Sequence, residues 1–151
     1  MYDLIIIGGG PGGAAAGVYA ARKKIKTLLI TEEWGGQSLV SADIQNWIGT
    51  KSVSGFDFAK MLEDHLRAQE DIEIIDGDVV STVEKLESGF RVKTRGGKTF
   101  ETKYLLITTG SRRRKLGVPG EKELDGRGVA YCSTCDAPIF KDKVVAVVGG
   151  G

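Results

Sequence analysis

Asp3-Leu-Ile-Ile-Ile-Gly8-Gly-Gly-Pro11-Gly-Gly13-Ala-Ala-Ala is the stretch that decides how this chain folds. Residues 4–7 are uniformly apolar and end in glycines, as a parallel strand buried on both faces does. An alanine-rich helix is predicted over 12–22 and a second strand over 27–30, which completes a βαβ unit. Gly8-x-Gly10-x-x-Gly13 follows the strand and opens the helix. The first glycine permits a tight turn, the second lets a pyrophosphate approach the backbone, and the third lets the helix pack closely on the strand. Phosphate then lies at the positive end of the helix. In this strand-turn-helix context the pattern predicts a dinucleotide-binding turn, not a merely structural one, and an α/β, Rossmann-like fold.

An acid near the end of the second strand is expected to bond a ribose. Glu32 lies 19 residues after Gly13, and Glu33 follows it. The alternative is that both are solvated loop carboxylates. Residues 35–54 read as a long loop, flanked by Trp34 and Trp47, whose default is core or lid packing. A helix is predicted over 56–68, with Phe58, Met61, Leu62, His65 and Leu66 at helical spacing and His65 a partly buried structural residue. A strand follows at 72–75. Runs at 79–86, 90–94 and 99–103, joined by Glu87-Ser-Gly89 and Arg95-Gly-Gly97, predict an antiparallel meander. Residues 104–109 read as another buried strand ending at Gly110, and 117–128, with Pro119-Gly120, as a linker.

A second strand-glycine copy closes the chain: Lys143-Val-Val-Ala-Val-Val-Gly-Gly-Gly151, with Gly149 matching Gly8. It predicts the start of a second Rossmann-like domain. No helix follows to receive a phosphate, and an uncovered apolar strand invites aggregation, so the chain reads as the amino-terminal part of a larger protein. The expected division is 1–116, an incomplete nucleotide-binding segment, and 117–151, holding the linker, a cysteine pair and the start of the second domain.

That pair lies in Tyr131-Cys132-Ser-Thr-Cys135-Asp136 and supplies the only two cysteines. Without a secretory signal, Cys-x-x-Cys reads as a redox or metal pair, not a structural staple. Zinc would need two more ligands, and the chain offers no further cysteine and only His65, so the redox reading prevails. A cysteine at a helix start gains thiolate stabilisation, and this spacing puts both sulfurs on one side, close enough to bridge. Asp136 is placed to shuttle the proton that dithiol chemistry needs. The duller readings are two small buried side chains and a helix-start carboxylate. A dithiol between two nucleotide turns implies electrons passing from one nucleotide cofactor through another to a disulfide.

Net charge is +1, which implies neither a nucleic-acid nor a membrane-surface partner. Arg112-Arg-Arg-Lys115 reads as a solvated loop in preference to a phosphate site. The apolar runs at 4–7 and 144–148 are too short for a signal peptide or a membrane span.

Taken together, the motifs resemble those of the low-molecular-weight thioredoxin reductases and the related flavoprotein subunit of alkyl hydroperoxide reductase. The likeness runs over essentially the whole chain: Gly-Gly-Gly-Pro11-Gly-Gly, Trp34-Gly-Gly-Gln37, Gln45-Asn-Trp47, Thr108-Thr-Gly110, Val118-Pro-Gly-Glu121, Gly126-Arg-Gly-Val129 and Cys132-Ser-Thr-Cys-Asp136. The resemblance implies that 1–116 binds FAD. Gly9, Gly10, Pro11, Gly12 and Gly13 would meet the pyrophosphate, and Gly35, Gly36 and Gln37 would wrap the cofactor. Asn46 would contact the flavin side, Val80 would offer backbone to the adenine, and Thr109 and Gly110 would close the site. Thr31 falls where many members carry the ribose acid, with Glu32 one place later. By analogy Cys135 would be the sulfur nearest the flavin, Cys132 the one exchanging with the protein substrate, and Asp136 the acid/base.

The resemblance further implies a cytoplasmic, homodimeric NADPH-dependent reductase of thioredoxin or a similar protein disulfide. Its NADPH domain would begin at the second glycine repeat, and Pro119-Gly120 and residues 126–128 would serve as hinges. Two other readings stay open. One keeps the fold but changes the electron flow, as a dithiol oxidase or a reductase with a different donor. The other makes the chain as it stands an inactive FAD-binding fragment.

Overall fold

The computed structural model describes residues 1–132 and 140–149. The chain divides into two compact units, Met1–Ser111 and Arg112–Gly151. The first unit contains β1 (Tyr2–Gly9), α1 (Pro11–Arg22), β2 (Thr27–Trp34), a short 3-10 helix (Gly36–Val40), α2 (Gly55–Arg67), β3 (Ile72–Asp76), β4 (Val80–Lys85), β5 (Phe90–Thr94) and β6 (Thr99–Ile107). All six strands lie in one sheet, in the order β3-β2-β1-β6-β5-β4. β1 pairs in parallel with β2 and β6, and β2 with β3, whereas β4, β5 and β6 pair antiparallel.

The two faces of the central strands carry separate apolar clusters. On one face Ile6 and Leu29 pack with Val18 of α1 and with Ala59 and Leu66 of α2. On the other, Ile5, Ile7, Leu28 and Ile30 pack with Val92 and, at the margin, Val80 and Phe100 of the meander. Burial on both faces is why residues 4–7 and 27–30 carry no polar alternation.

Local chemistry sets the helix ends. Ser54 caps α2 by accepting from the Asp57 amide at 3.1 Å. At the end of α1, Lys24 takes φ +55°. The amides of Lys24 and Ile25 then reach back to the carbonyls of Ala21 and Ala20, the reciprocal bonds that close a helix before a sharp exit.

Four expectations are corrected. The runs read as separate strands at 99–103 and 104–109 form one element, β6. Thr102 pairs with Tyr2 in parallel and with Phe90 antiparallel, so β6 carries the expected antiparallel meander on the edge of the parallel sheet. The second half of β6 is not buried: Tyr104, Leu106 and Ile107 are exposed, because α1 and α2 lie on β1, β2 and β3. Residues 144–149 form no strand; Val144, Val145, Val147 and Val148 are exposed, and among the described residues no ladder partner pairs with them. His65 is exposed on α2 and not partly buried, as is Met61, since the apolar stripe there is narrower than its spacing suggests.

In the second unit, Asp125 and Val129 form an isolated bridge, and the amides of Gly128 and Val129 both reach the carbonyl of Leu124. The expected helix start, Cys135 and Asp136 lie outside the described residues.

Leu66 is fully buried between α1 and the sheet, with its Cδ1 2.7 Å from where a Cβ on Gly17 would stand. Leu66→Ala is expected to cost about 2–5 kcal/mol in urea-unfolding experiments. A change under about 0.5 kcal/mol, the scale of an ordinary surface substitution, would show that α2 does not depend on this contact.

Candidate nucleotide-binding site and redox motif

The cradle begins where β1 ends. Gly8 adopts φ +112°, and a Cβ there would stand 2.4 Å from the carbonyl oxygen of Thr108. A Cβ on Gly13 would lie 1.8 Å from the Gly8 carbonyl oxygen, so only glycine lets α1 come this close to the strand. Gly10 differs: a Cβ there meets nothing within 4 Å, and the space in front of it is open. Gly10 is the N-cap of α1, with no side-chain cap bond, and Pro11 follows at the start of the helix. The first turn carries no acidic side chain. The positive helix end is therefore left for an anion from outside the helix.

Other predicted residues converge on this turn. The Gly35 amide donates to the Gly9 carbonyl at 3.1 Å, and a Cβ on Gly36 would stand 3.8 Å from Gly10 Cα. Gly35 has φ +80° and sits against Ala59 of α2, where a Cβ would come within 2.6 Å of the alanine methyl. Gln37 is exposed in the following 3-10 helix. Thr109 and Gly110 are exposed at the end of β6. They follow Thr108, whose hydroxyl donates to the carbonyls of Ile7 at 2.8 Å and Gly8 at 3.2 Å.

Thr31, Glu32 and Glu33 all belong to β2, not to a loop, but they face differently. Thr31 is buried, its hydroxyl donates to the Glu33 carbonyl at 2.6 Å, and a Cβ on Gly9 would meet it at 2.5 Å. That hydroxyl serves the turn. Glu33 is exposed. Glu32 lines a cleft of about 520 Å³ with Asp76, Asp78, Val79, Arg95 and Lys98, and pairs with Arg95 at 3.6 Å. Val80 opens β4 directly after this cleft. Asn46 is exposed in the loop whose ends are tied by the Ile44–Val53 bridge, and among the described residues it makes no hydrogen bond with the cradle. Trp47 beside it packs edge-on against Phe58, with ring centroids 4.8 Å apart.

Sequence reasoning missed the groups that shape the cleft. Asp78 accepts from the amides of Val79 at 2.8 Å and Gly96 at 3.1 Å. A hydrogen bond from Thr94, with help from those amides and from Lys98, holds its carboxyl below the usual range against a smaller opposing effect of desolvation. Asp76 accepts from the Trp34 indole at 3.0 Å and from Arg67 at 2.5 Å, and Arg67 also stacks over the Trp34 ring. Arg95-Gly-Gly97 was legible only as a turn. Nothing in its spacing announces that the turn borders a cleft.

Of the Cys-x-x-Cys motif, Cys132 lies within the described residues: it is half-buried and disulfide-bonded. Among the described residues no cluster of side chains is arranged to hold a metal ion, and no helix is long and apolar enough to cross a membrane.

A glycine turn that only glycine can close, with an open helix end above it, defines a dinucleotide-binding α/β domain. The family model for pyridine nucleotide-disulphide oxidoreductases matches residues 2–151, and the chain belongs to that family. It is 41% identical over 150 residues to the F component of alkyl hydroperoxide reductase in Staphylococcus epidermidis, and 44% identical over 154 residues to the same component in Pseudomonas putida. Each comparison takes in 99% of this chain and 29% of the relative. The crystal structure of thioredoxin reductase from Streptococcus pyogenes superposes with a TM-score of 0.79 at 38% identity, over 94% of this chain and 46% of that one. The chain thus spans under a third of the length of these curated relatives and about half that of the solved structure. The family resemblance drawn from the motifs is borne out.

Two outcomes follow from this geometry. Gly10→Ala is expected to leave the thermal midpoint within a few degrees of wild type and to weaken binding of a dinucleotide probe about tenfold or more, read by equilibrium dialysis with added FAD as the probe. Gly13→Ala is expected to lower both. Loss of fold in the first variant, or unchanged binding in it, would contradict an open pyrophosphate seat at Gly10.

Asp78 has a lowered carboxyl pKa, so its stabilising contribution is present above the unfolded value near pH ~3.9 and is lost as pH falls through the folded value. Asp78→Asn is expected to flatten the acid limb of the stability-pH curve, measured by urea midpoints between about pH 5 and pH 2.

Proposed function

We propose that this chain supplies the FAD-binding and redox-cysteine portion of a disulfide reductase, which carries electrons from NADPH through FAD to the Cys132–Cys135 pair and on to thioredoxin or a similar protein disulfide. The observation that supports this most is the glycine cradle, sterically closed at Gly8 and Gly13 and open at Gly10. The residues present fit a dinucleotide: an uncapped helix end for the pyrophosphate and a carboxylate-lined cleft beside it. FAD, when bound, would supply the hydride acceptance from a nicotinamide that no side chain can perform.

The chain's own residues divide the work of binding. Backbone amides of Gly9, Gly10, Gly12 and Gly13 face the pyrophosphate, and Pro11 presets the first helical turn. Glu32 accepts from a ribose hydroxyl in the cleft, while Thr31 braces the turn beneath and Glu33 stays in solvent. Val80 offers backbone to the adenine. Gly35, Gly36, Gln37 and Asn46 border the flavin half, and Thr109 and Gly110 close it.

Transfer to the protein substrate is thiol–disulfide exchange. The Cys132 thiolate attacks one sulfur of the substrate disulfide, so a mixed disulfide forms and one substrate thiolate leaves. Cys135 then attacks Cys132, the mixed bond breaks, the second substrate thiol is released and the Cys132–Cys135 disulfide is restored. Asp136 takes up and returns the proton that the leaving thiolate needs. A cytoplasmic setting, where thiols are kept reduced, suits such a cycling pair. Homodimeric assembly of the longer protein belongs to the same reading.

Anaerobic stopped-flow mixing of the full-length protein with NADPH tests it. The visible flavin band is expected to bleach, and thioredoxin disulfide to be reduced at the protein's expense. Cys132→Ser is expected to keep the bleaching and to lose protein-disulfide turnover by roughly 10³-fold or more. A flavin that stays oxidised under NADPH would defeat the proposal. Bleaching by a different donor would move the assignment to the alternative electron flow.

A further inference from the structure

Glu121 is the only charged side chain buried among the described residues, at 5% exposure, in a stretch whose neighbours from 111 to 119 and 122 to 128 are exposed. Burying a carboxyl group is costly unless its oxygens find donors. Here Oε1 accepts from the Leu116 amide at 3.0 Å, and Oε2 from the amides of Gly117 at 2.6 Å and Val118 at 3.3 Å. Gly117, at φ +75°, turns the backbone so that these consecutive amides converge. The fourth donor comes from further along the chain: the Tyr131 hydroxyl donates to Oε1.

Tyr131 is held at its other end as well. Lys115 Nζ lies 4.3 Å above the centre of its ring and 2.8 Å from Asp125 Oδ2. A single aromatic side chain is therefore fixed through its hydroxyl by Glu121 and through its face by Lys115. The next residue is Cys132, half-buried and disulfide-bonded. Through the Tyr131 hydroxyl and ring these contacts hold the residue that immediately precedes Cys132.

We propose that Tyr131 and Glu121 form a latch belonging to the disulfide-bonded state, in which Tyr131 is a positioning residue for Cys132. The latch favours the oxidised pair and so makes the reduced pair a stronger reductant toward its substrate. An interaction shifts an equilibrium only by its difference between the two states, and this one is formed with Cys132 oxidised. The inference rests on the reading of Cys132–Cys135 as the redox pair.

The test equilibrates the full-length protein in glutathione redox buffers and counts alkylated cysteines by mass spectrometry. In that equilibrium one protein disulfide and two glutathione thiols give two protein thiols and one oxidised glutathione, with two electrons and two protons transferred. Tyr131→Phe keeps the ring under Lys115 and removes only the hydroxyl. It is expected to raise the equilibrium constant for reduction about tenfold, ~30 mV in potential. Glu121→Gln is expected to move it the same way, and the double variant no further than the larger single effect, because the two share one interaction. Circular dichroism melts of both variants identify any loss of fold, which would not produce this non-additivity. A Tyr131→Phe potential equal to wild type, or single effects that add in full, would overturn the latch. A wild-type pair that never forms the disulfide would sink the redox reading itself, and the latch with it.

Discussion

A side chain at residue 13 would occupy the space of a backbone oxygen: the Cβ would lie 1.8 Å from the Gly8 carbonyl. That contact sets how near α1 can come to the end of β1, and much of the first unit is built around the approach. Thr108 at the end of β6 packs against the same turn, with its hydroxyl on the carbonyls of Ile7 and Gly8. Gly35 reaches the turn from β2 through the Gly9 carbonyl. Three strands and a helix thus meet over a few peptide groups, and the meeting point is where a helix end is left uncapped for an anion.

The sheet that carries this cradle changes character midway along one strand. β6 enters from the antiparallel meander and leaves in parallel with β1, so Thr102 has neighbours of both kinds. This lets the meander supply Val80, Val92 and Phe100 to the face opposite the helices. It also brings Arg95, in the β5–β6 turn, to the cleft that Glu32 borders at the end of β2.

Polar groups near the cradle are satisfied by specific partners, and those partners locate it. Asp76 joins the Trp34 indole to the Arg67 guanidinium, which ties the end of β2 to β3 and α2 just ahead of the Gly35–Gly36 corner. In the second unit Glu121 gathers the amides of 116–118 in the same way. Asp76 thus joins three regular elements, whereas Glu121 orders a loop whose Leu116 and Val118 are left exposed.

Sequence alone determined the βαβ unit, the glycine turn, both helices and the meander, because each rests on local rules: an apolar run buried on two faces, glycines at fixed offsets, apolar residues at helical spacing, and glycine turns between short strands. It also determined the family, through motifs spread from Gly8 to Asp136. Tertiary structure decided what local rules cannot reach. Whether Thr31, Glu32 or Glu33 borders the cleft depends on how the end of β2 twists past Gly9. Whether residues 144–148 pair as a strand depends on a neighbour being there to complete the ladder, and apolar character alone supplies none. The role of Glu121 was hidden because nothing local distinguishes it from Glu123 and Asp125 in the same glycine-rich stretch until the chain folds four donors around it.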